Sequence, residues 1–334
     1  MKLLAPLSAL LASATAVELS TVYQFPNGTW LENLAQMRNG SLLVTVIRSA
    51  DVYIINNVGI AAETATASLV ASFPGHNAVL GITEMQKNVF AVAVGNVTES
   101  NAPVEGTFGV YSLNLTEDCA ATTSSSHAGA GKVSKIVDLP EQGLLNGIAF
   151  DPPSTLLLAD SWKGEIVRLN ASSGAVDGII ENAALKSNFS SPSLVIGVNG
   201  LRIHNDFLYF SNTVQNLLGR IDLDSVYNAS SSSAGKVDVD VQIIAQGSKI
   251  SQPDDFAVLH GGSVLVVRPL ADTLQHVGLD GKVEEIARGG VVSGGTSLVL
   301  SKTKGKGKKV AYVSTSGLKG GASVEGGRVV RVEY

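Results

Sequence analysis

Charge and cysteine are scarce in this sequence. Only 16% of the 334 residues are Asp, Glu, Lys or Arg, and there is one cysteine, Cys119. A lone cysteine excludes an internal disulfide framework. It borders a Ser/Ala/Gly tract, Ala120 to Gly131, that reads as a surface excursion, so an incidental thiol is a better reading than a nucleophile. The five histidines, His76, His127, His204, His260 and His276, form no HExxH motif and no i,i+4 pair, which excludes a zinc protease of that type. No G-x-S-x-G elbow and no Walker loop is present. Beyond the first residues no apolar run reaches the length of a membrane-spanning helix. A net charge of −5 and a pI near 5.6 argue against nucleic acid as a partner.

What is abundant is hydrophobic residues, 45%, and glycine, 35 copies. Short apolar runs separated by turn residues produce that balance. Leu144 to Asn170, LLNGIAFDPPSTLLLADSWKGEIVRLN, shows the pattern best: NGIAFD, TLLLADS and EIVRLN read as three strands joined by turns at Pro152–Pro153 and Trp162–Gly164. Asp160 is placed to cap the second turn, and Trp162 reads as packing between units.

The pattern recurs six times, starting at Glu32, Leu80, Asn146, Asn199, Asp254 and Thr296, with spacings of 48, 66, 53, 55 and 42 residues. Repeats of this length with several strands each predict an all-β chain folded as a six-bladed β-propeller of four-stranded antiparallel blades. The second copy delays its third strand to FGVYSLN at Phe108, and the last ends on GGRVVRVEY. Leu19 to Phe25, LSTVYQF, is the candidate to pair with the last blade and remove its open edge. GGVVSGG, Gly289 to Gly295, reads as a turn between blades, and Lys302 to Lys309 as a solvated basic hairpin tip.

Residues 1–16, MKLLAPLSALLASATA, have the charged start, apolar middle and A-x-A end of a secretory signal peptide, leaving 17–334 as a single propeller domain. Seven N-x-S/T sequons, at Asn27, Asn39, Asn96, Asn114, Asn170, Asn188 and Asn228, agree with passage through the secretory pathway and predict a secreted glycoprotein.

In a propeller the innermost strands line a central channel, so the six first residues should meet in a ring. Glu32, Asn146, Asn199 and Asp254 are poor starts for buried strands unless partnered. Together they offer hard oxygen ligands for a divalent cation such as Ca²⁺, Mg²⁺ or Mn²⁺. The bland alternative is that they bond to loop backbone and close the channel. His76, just before the second inner strand, could reach the mouth or be a loop histidine without a role. Asp255 reads as a strand-start neighbour of Asp254.

NGI at Asn146, NGL at Asn199, PDD at Asp254 and the spacing from Glu32 to LLVT resemble the six-bladed propellers of the gluconolactonase and senescence-marker-protein family. The resemblance implies that Glu32, Asn146, Asn199 and Asp254 hold one divalent cation that polarises a lactone carbonyl, with Asp254 as acid/base. The family's sugar-lactone hydrolases carry an arginine two residues before the first asparagine; here that residue is Leu144, followed by Leu145. Leu80, Leu144 and Leu145 make the expected mouth apolar, poorly suited to a sugar acid. VLGITE, NGIAF and PDDFAV are similar to a fungal secondary-metabolism branch. The resemblance implies a hetero-Diels–Alderase that joins a quinone methide to a terpene olefin such as humulene. On that reading Asn146, Asn199 and Asp254 are catalytic, Leu80, Leu144, Leu145 and His76 bind a largely apolar small molecule, and no cofactor is required. A metal-dependent lactonase and a non-catalytic binding propeller are the alternatives.

Overall fold

The computed structural model describes residues 17–59, 64–115, 131–188, 195–228, 236–302, 309–319, 322–323 and 325–334. The signal-peptide reading of 1–16, Cys119 with its tract and the tip of the basic loop lie outside these residues.

Strands dominate, and they pair with their sequence neighbours. One four-stranded sheet joins Val198–His204, Phe207–Asn212, Leu217–Asp222 and Gln242–Gln246. Another joins Phe256–Val258, Val264–Arg268, Thr273–Val277 and Val283–Arg288. The stretch Leu145–Asp151, Thr155–Asp160, Glu165–Asn170 and Val176–Glu181 is antiparallel throughout, with the short Lys236–Asp238 added in parallel at its edge. An eight-stranded sheet is two four-stranded units, which begin at Trp30–Gln36 and Ala78–Gln86 and touch through the single pair Ile47–Ala78. The last unit runs Gly295–Leu300, Val310–Thr315 and Arg328–Glu333, and its outer strand is Glu18–Gln24 from the other end of the chain. The expected pairing of Leu19–Phe25 with the last blade is therefore present, and it covers what would otherwise be an open sheet edge.

The six inner strands contact one another in sequence, and the sixth contacts the first. That closed circle is a β-propeller. Its core lies between blades, because the second strand of each blade is buried on both faces. In Thr155–Asp160, Leu156 and Leu158 pack with Ala91, Ala93 and Phe108 of the preceding blade. Leu157 and Ala159 pack with Leu208, Phe210 and Leu217 of the next. Burial on both faces explains why the middle strands read as continuous apolar runs rather than as alternating ones. Each such leucine contributes about 1.5–3 kcal/mol of burial.

The turns follow their residue chemistry. Asp160 accepts backbone N–H bonds from Trp162, Lys163 and Gly143, so it caps the turn as expected. Trp162 packs against the core between the second and third blades. Gly290–Val292 is a single 3-10 turn linking the last two blades.

Candidate active site at one mouth of the channel

The inner strands are not regular where they meet the channel. Pairing with the second strand shifts register between Leu31 and Leu34, Val79 and Ile82, Leu145 and Ile148, Val198 and Leu201, and Gly295 and Ser297. Each shift brackets a ring residue. A β-bulge bends its strand and re-aims a side chain that simple alternation would send elsewhere. Here it turns Glu32, Leu80, Asn146 and Asn199 toward the mouth and places the next residue of each strand in the channel below.

Those successors are Asn33, Gly81, Gly147, Gly200, Asp255 and Ser297. The glycines are dictated by crowding. A Cβ on Gly81 would lie 1.9 Å from the Asn146 carbonyl oxygen, and one on Gly147 would lie 2.2 Å from that of Asn199. A Cβ on Gly200 would meet the Asp255 carboxylate at 2.3 Å. Blades two to four thus supply bare backbone, and the polar side chains of blades five, six and one fill the space over it. Ser297 donates to Asp255 and, at 3.1 Å, to Asn33 Oδ1. Arg202 reaches up to Asp255 Oδ2 at 2.5 Å. This polar plug divides the channel into two separate cavities.

Above the plug is a cavity of about 290 Å³. Glu32, Leu80, Leu144, Asn146, Asn199 and Asp254 all line it, so residues from five blades converge. The walls are otherwise mostly aliphatic: Ile47, Val97, Ile196, Pro269, Leu270 and Leu318. None of the described residues that line it is Lys, Arg or His. Trp30 also lines it, and its indole N–H donates to Glu32 Oε2 at 2.8 Å. The Asn146 amide donates to Glu32 Oε1 at 3.2 Å. The Asn199 amide donates to Asp254 Oδ1 at 2.7 Å and to Thr213 Oγ1 at 3.0 Å.

With only neutral donors against them, both carboxyls are held toward their protonated forms. Burial pushes the Glu32 carboxyl up to about 7; the Trp30 and Asn146 bonds pull it back and the nearby Asp255 charge raises it further. Asp254 is raised well above the usual carboxylate range, first by burial, then by Glu32 and Asp255, with partial relief from Asn199. Two such carboxyls facing one cavity are of the kind that can serve as a proton donor and a proton acceptor for one ligand.

Two expected mouth residues lie elsewhere. Leu145 is fully buried, paired with Asp160 and packed in the core between blades two and three, because the register shift begins at it and turns Asn146 instead. His76 is absent from the cavity. It sits in the turn after Thr66–Ser72, its Nε2 lies 3.2 Å from the Tyr111 hydroxyl, and burial lowers its pKa. Thr296 also turns away from the cavity, donating to the Leu31 carbonyl at 2.9 Å and tying the last inner strand to the first.

Sequence reading did not single out Trp30, Thr213 or the outer rim. Trp30 stands two residues before Glu32, a separation that a bulge makes adjacent; no motif announces it. The rim depends on Arg48, which donates to the carbonyls of Thr98 and Glu99, each at 2.7 Å, and to Asn101 Oδ1 at 2.6 Å. Those bonds fix the loop that brings Val97 and Asn101 to the opening.

Of the sequons, Asn27, Asn39, Asn114 and Asn188 are exposed. Asn96 and Asn170 are partly buried and use their side chains locally: Asn96 accepts from Asn77 N and donates to the Gly75 carbonyl, and Asn170 accepts from Ser172 N and Ser173 N.

The cation implied by the family resemblance can be tested against this donor set. Among the described residues no three His, Cys, Asp or Glu side chains come together. A cation here would depend on amide oxygens for half of its protein ligands. The set still fits a hard divalent ion: Glu32 and Asp254 bring two carboxylates, and a half-turn of the Asn146 and Asn199 amides exchanges nitrogen for oxygen.

No family model matches the chain. Among curated proteins it is similar to a provisionally named hetero-Diels-Alderase of Sarocladium schorii, 26% identical over 213 residues, or 57% of this chain and 50% of that protein. It is also similar to a provisionally named hetero-Diels-Alderase of a Phoma species, 24% identical over 224 residues, 61% of this chain and 60% of the relative. The matched stretches thus span only half to three fifths of these relatives. Among solved structures, the PQQ-bound aldose sugar dehydrogenase of Streptomyces coelicolor superposes with a TM-score of 0.62 at 17% identity, over 95% of this chain and 98% of that one. A luciferin-regenerating enzyme gives 0.61 at 13%, over 95% of each chain. The virginiamycin B lyase of Staphylococcus aureus gives 0.58 at 13%, over 95% and 99%. These structures share the fold. The curated relatives carry the name of the branch that NGIAF and VLGITE resemble.

Proposed function

We propose that this chain is an enzyme of secondary metabolism that catalyses a hetero-Diels–Alder cycloaddition, joining an electron-poor oxadiene such as a quinone methide to an olefin of an apolar polyene. The observation that carries this reading is the composition of the upper cavity: aliphatic walls from several blades around one small carboxyl–amide cluster. The curated relatives support it.

Cycloaddition needs no nucleophile. It needs two reactants held in contact and water kept out. Leu80, Leu144, Ile196 and Leu270 supply an apolar enclosure, and Leu144 stands where sugar-lactone hydrolases place an arginine. The protonated member of the Glu32–Asp254 pair donates a hydrogen bond to the oxadiene oxygen, where negative charge accumulates as the diene accepts electrons. Asn146 and Asn199 hold the two carboxyls in place.

The same pair suits formation of the diene from an ortho-hydroxybenzyl alcohol. One carboxylic acid gives its proton to the benzylic hydroxyl, and the C–O bond breaks with loss of water. The other group, as carboxylate, takes the phenolic proton, so the pair ends with as many protons as it began. A divalent cation, if bound by Glu32, Asn146, Asn199 and Asp254, would supply Lewis acidity toward the same oxygen.

Incubation of purified protein with an ortho-hydroxybenzyl alcohol and humulene tests the reading. A faster reaction with one dominant stereoisomer is the expected result; unchanged rate and unchanged stereochemistry would overturn it. The donor set also suits a metal-dependent lactonase, so the same preparation should be assayed for lactone hydrolysis with and without chelator. Chelator-sensitive hydrolysis without cycloaddition would select that alternative.

A further inference from the structure

Trp30 is the single aromatic side chain among the described residues that line the upper cavity. Its surroundings there are aliphatic. It is held at two points: the indole N–H bonds to Glu32 at 2.8 Å, and its backbone pairs with Ile47 at the edge of the first inner strand. The ring also packs against the core between blades two and three. A tryptophan fixed in this way loses little freedom when something stacks on it, and an electron-rich indole favours a flat, electron-poor ring over a saturated chain.

We infer that Trp30 forms a subsite for a planar, electron-poor aromatic reactant, leaving the aliphatic wall of Leu80, Leu144, Ile196 and Leu270 for the polyene. The inference rests on the cycloaddition reading and divides its pocket between the two substrates. It explains how one cavity distinguishes two apolar molecules and sets their order of approach. The planar partner stacks beside Glu32, which brings its oxygen to the carboxyl cluster, and the polyene closes over it from the aliphatic side.

The chain has two tryptophans, and Trp162 does not line the cavity. In a Trp162→Phe protein the indole emission therefore reports on Trp30 alone. Titration with 2′-hydroxyacetophenone, a stable planar mimic, should quench that emission saturably, whereas humulene should not. By calorimetry on otherwise native protein, Trp30→Leu should bind the mimic about tenfold more weakly, and Trp30→Phe, which keeps a ring, only about two- to threefold. Humulene affinity should be the same in all three. Equal affinity of Trp30→Leu and the native protein for the mimic would overturn the subsite, as would an equal loss for mimic and humulene. Because the readout is binding, it separates the two claims. Saturable stacking without cycloaddition retires the reaction and leaves the subsite, and cycloaddition without stacking retires the subsite alone.

Discussion

The two mouths of the central channel open into cavities of nearly the same size, about 290 and 300 Å³, built from the two ends of the same inner strands. Their chemistry differs. At the lower mouth every charged group among the described residues that line it has an opposite partner: Lys302 bonds to Glu84 Oε2 at 2.8 Å and to the Gln36 carbonyl at 2.6 Å, and Arg202 is paired with Asp255. At the upper mouth, among the described residues, Glu32 and Asp254 meet amide and indole N–H groups and no Lys, Arg or His. Pairing makes charge inert. Burial without a cation does the opposite and leaves acids able to exchange protons at working pH. Among the described residues the two mouths differ less in whether they hold carboxylates than in whether cations stand beside them.

The largest effect should come from the upper cluster. Glu32→Gln and Asp254→Asn should each slow product formation about 10²–10⁴-fold, as loss of a proton-transferring group does. Initial rates on folded protein check this, and a rate within a few-fold of native in both variants would erase the contrast between the mouths. Next comes the bridge between them. Arg202→Met leaves the Asp255 carboxylate buried without its cation and should destabilise the protein by about 3–5 kcal/mol in urea unfolding. A smaller loss would mean that the Ser297 hydroxyl and the Phe256 backbone N–H suffice to hold that charge.

A pH effect of similar order sharpens the comparison. In cation-free protein the Glu32 carboxyl is raised to about 7 from an ordinary 4.5. Between those values the folded chain keeps a proton that the unfolded chain releases. The stability this confers is fully present below about 4.5 and is lost as pH rises through about 7, an amount on the order of 3 kcal/mol. Urea midpoints measured from pH 5 to pH 8 should fall in native protein and fall less steeply in Glu32→Gln, where only the raised Asp254 remains; parallel slopes in the two would contradict it. Smallest is the lower mouth itself. Lys302→Ala removes a half-exposed ion pair and should cost less than about 1 kcal/mol, with product formation unchanged.

Much of this was legible in the residues. Short apolar runs punctuated by Gly, Pro, Asn and Asp locate the strands of the third blade to within a residue or two, because a strand buried on both faces has no other way to be written. Glu32, Asn146, Asn199 and Asp254 stood out because polar groups at the start of buried strands demand partners. Leu145 stands next to a mouth residue in the chain without reaching the mouth, and of the two readings open for His76 the structure has the loop histidine. A bulge decides which of two neighbours turns inward, and it leaves no mark in composition. Trp30 was missed because its role exists only once Glu32 is turned beside it.

The sequence by itself determined the repeat, the strand pattern, the closing strand and the chemical types gathered in the ring, since these are local preferences repeated along one chain. Tertiary structure alone decided that five of the six ring residues share one cavity, that a plug of Asn33, Asp255 and Ser297 separates it from the other mouth, and that among the described residues no Lys, Arg or His lines it beside Glu32 and Asp254. Those outcomes depend on distances between residues far apart in the chain, and it is distance and burial, rather than residue identity, that set the protonation and reactivity of a carboxyl group.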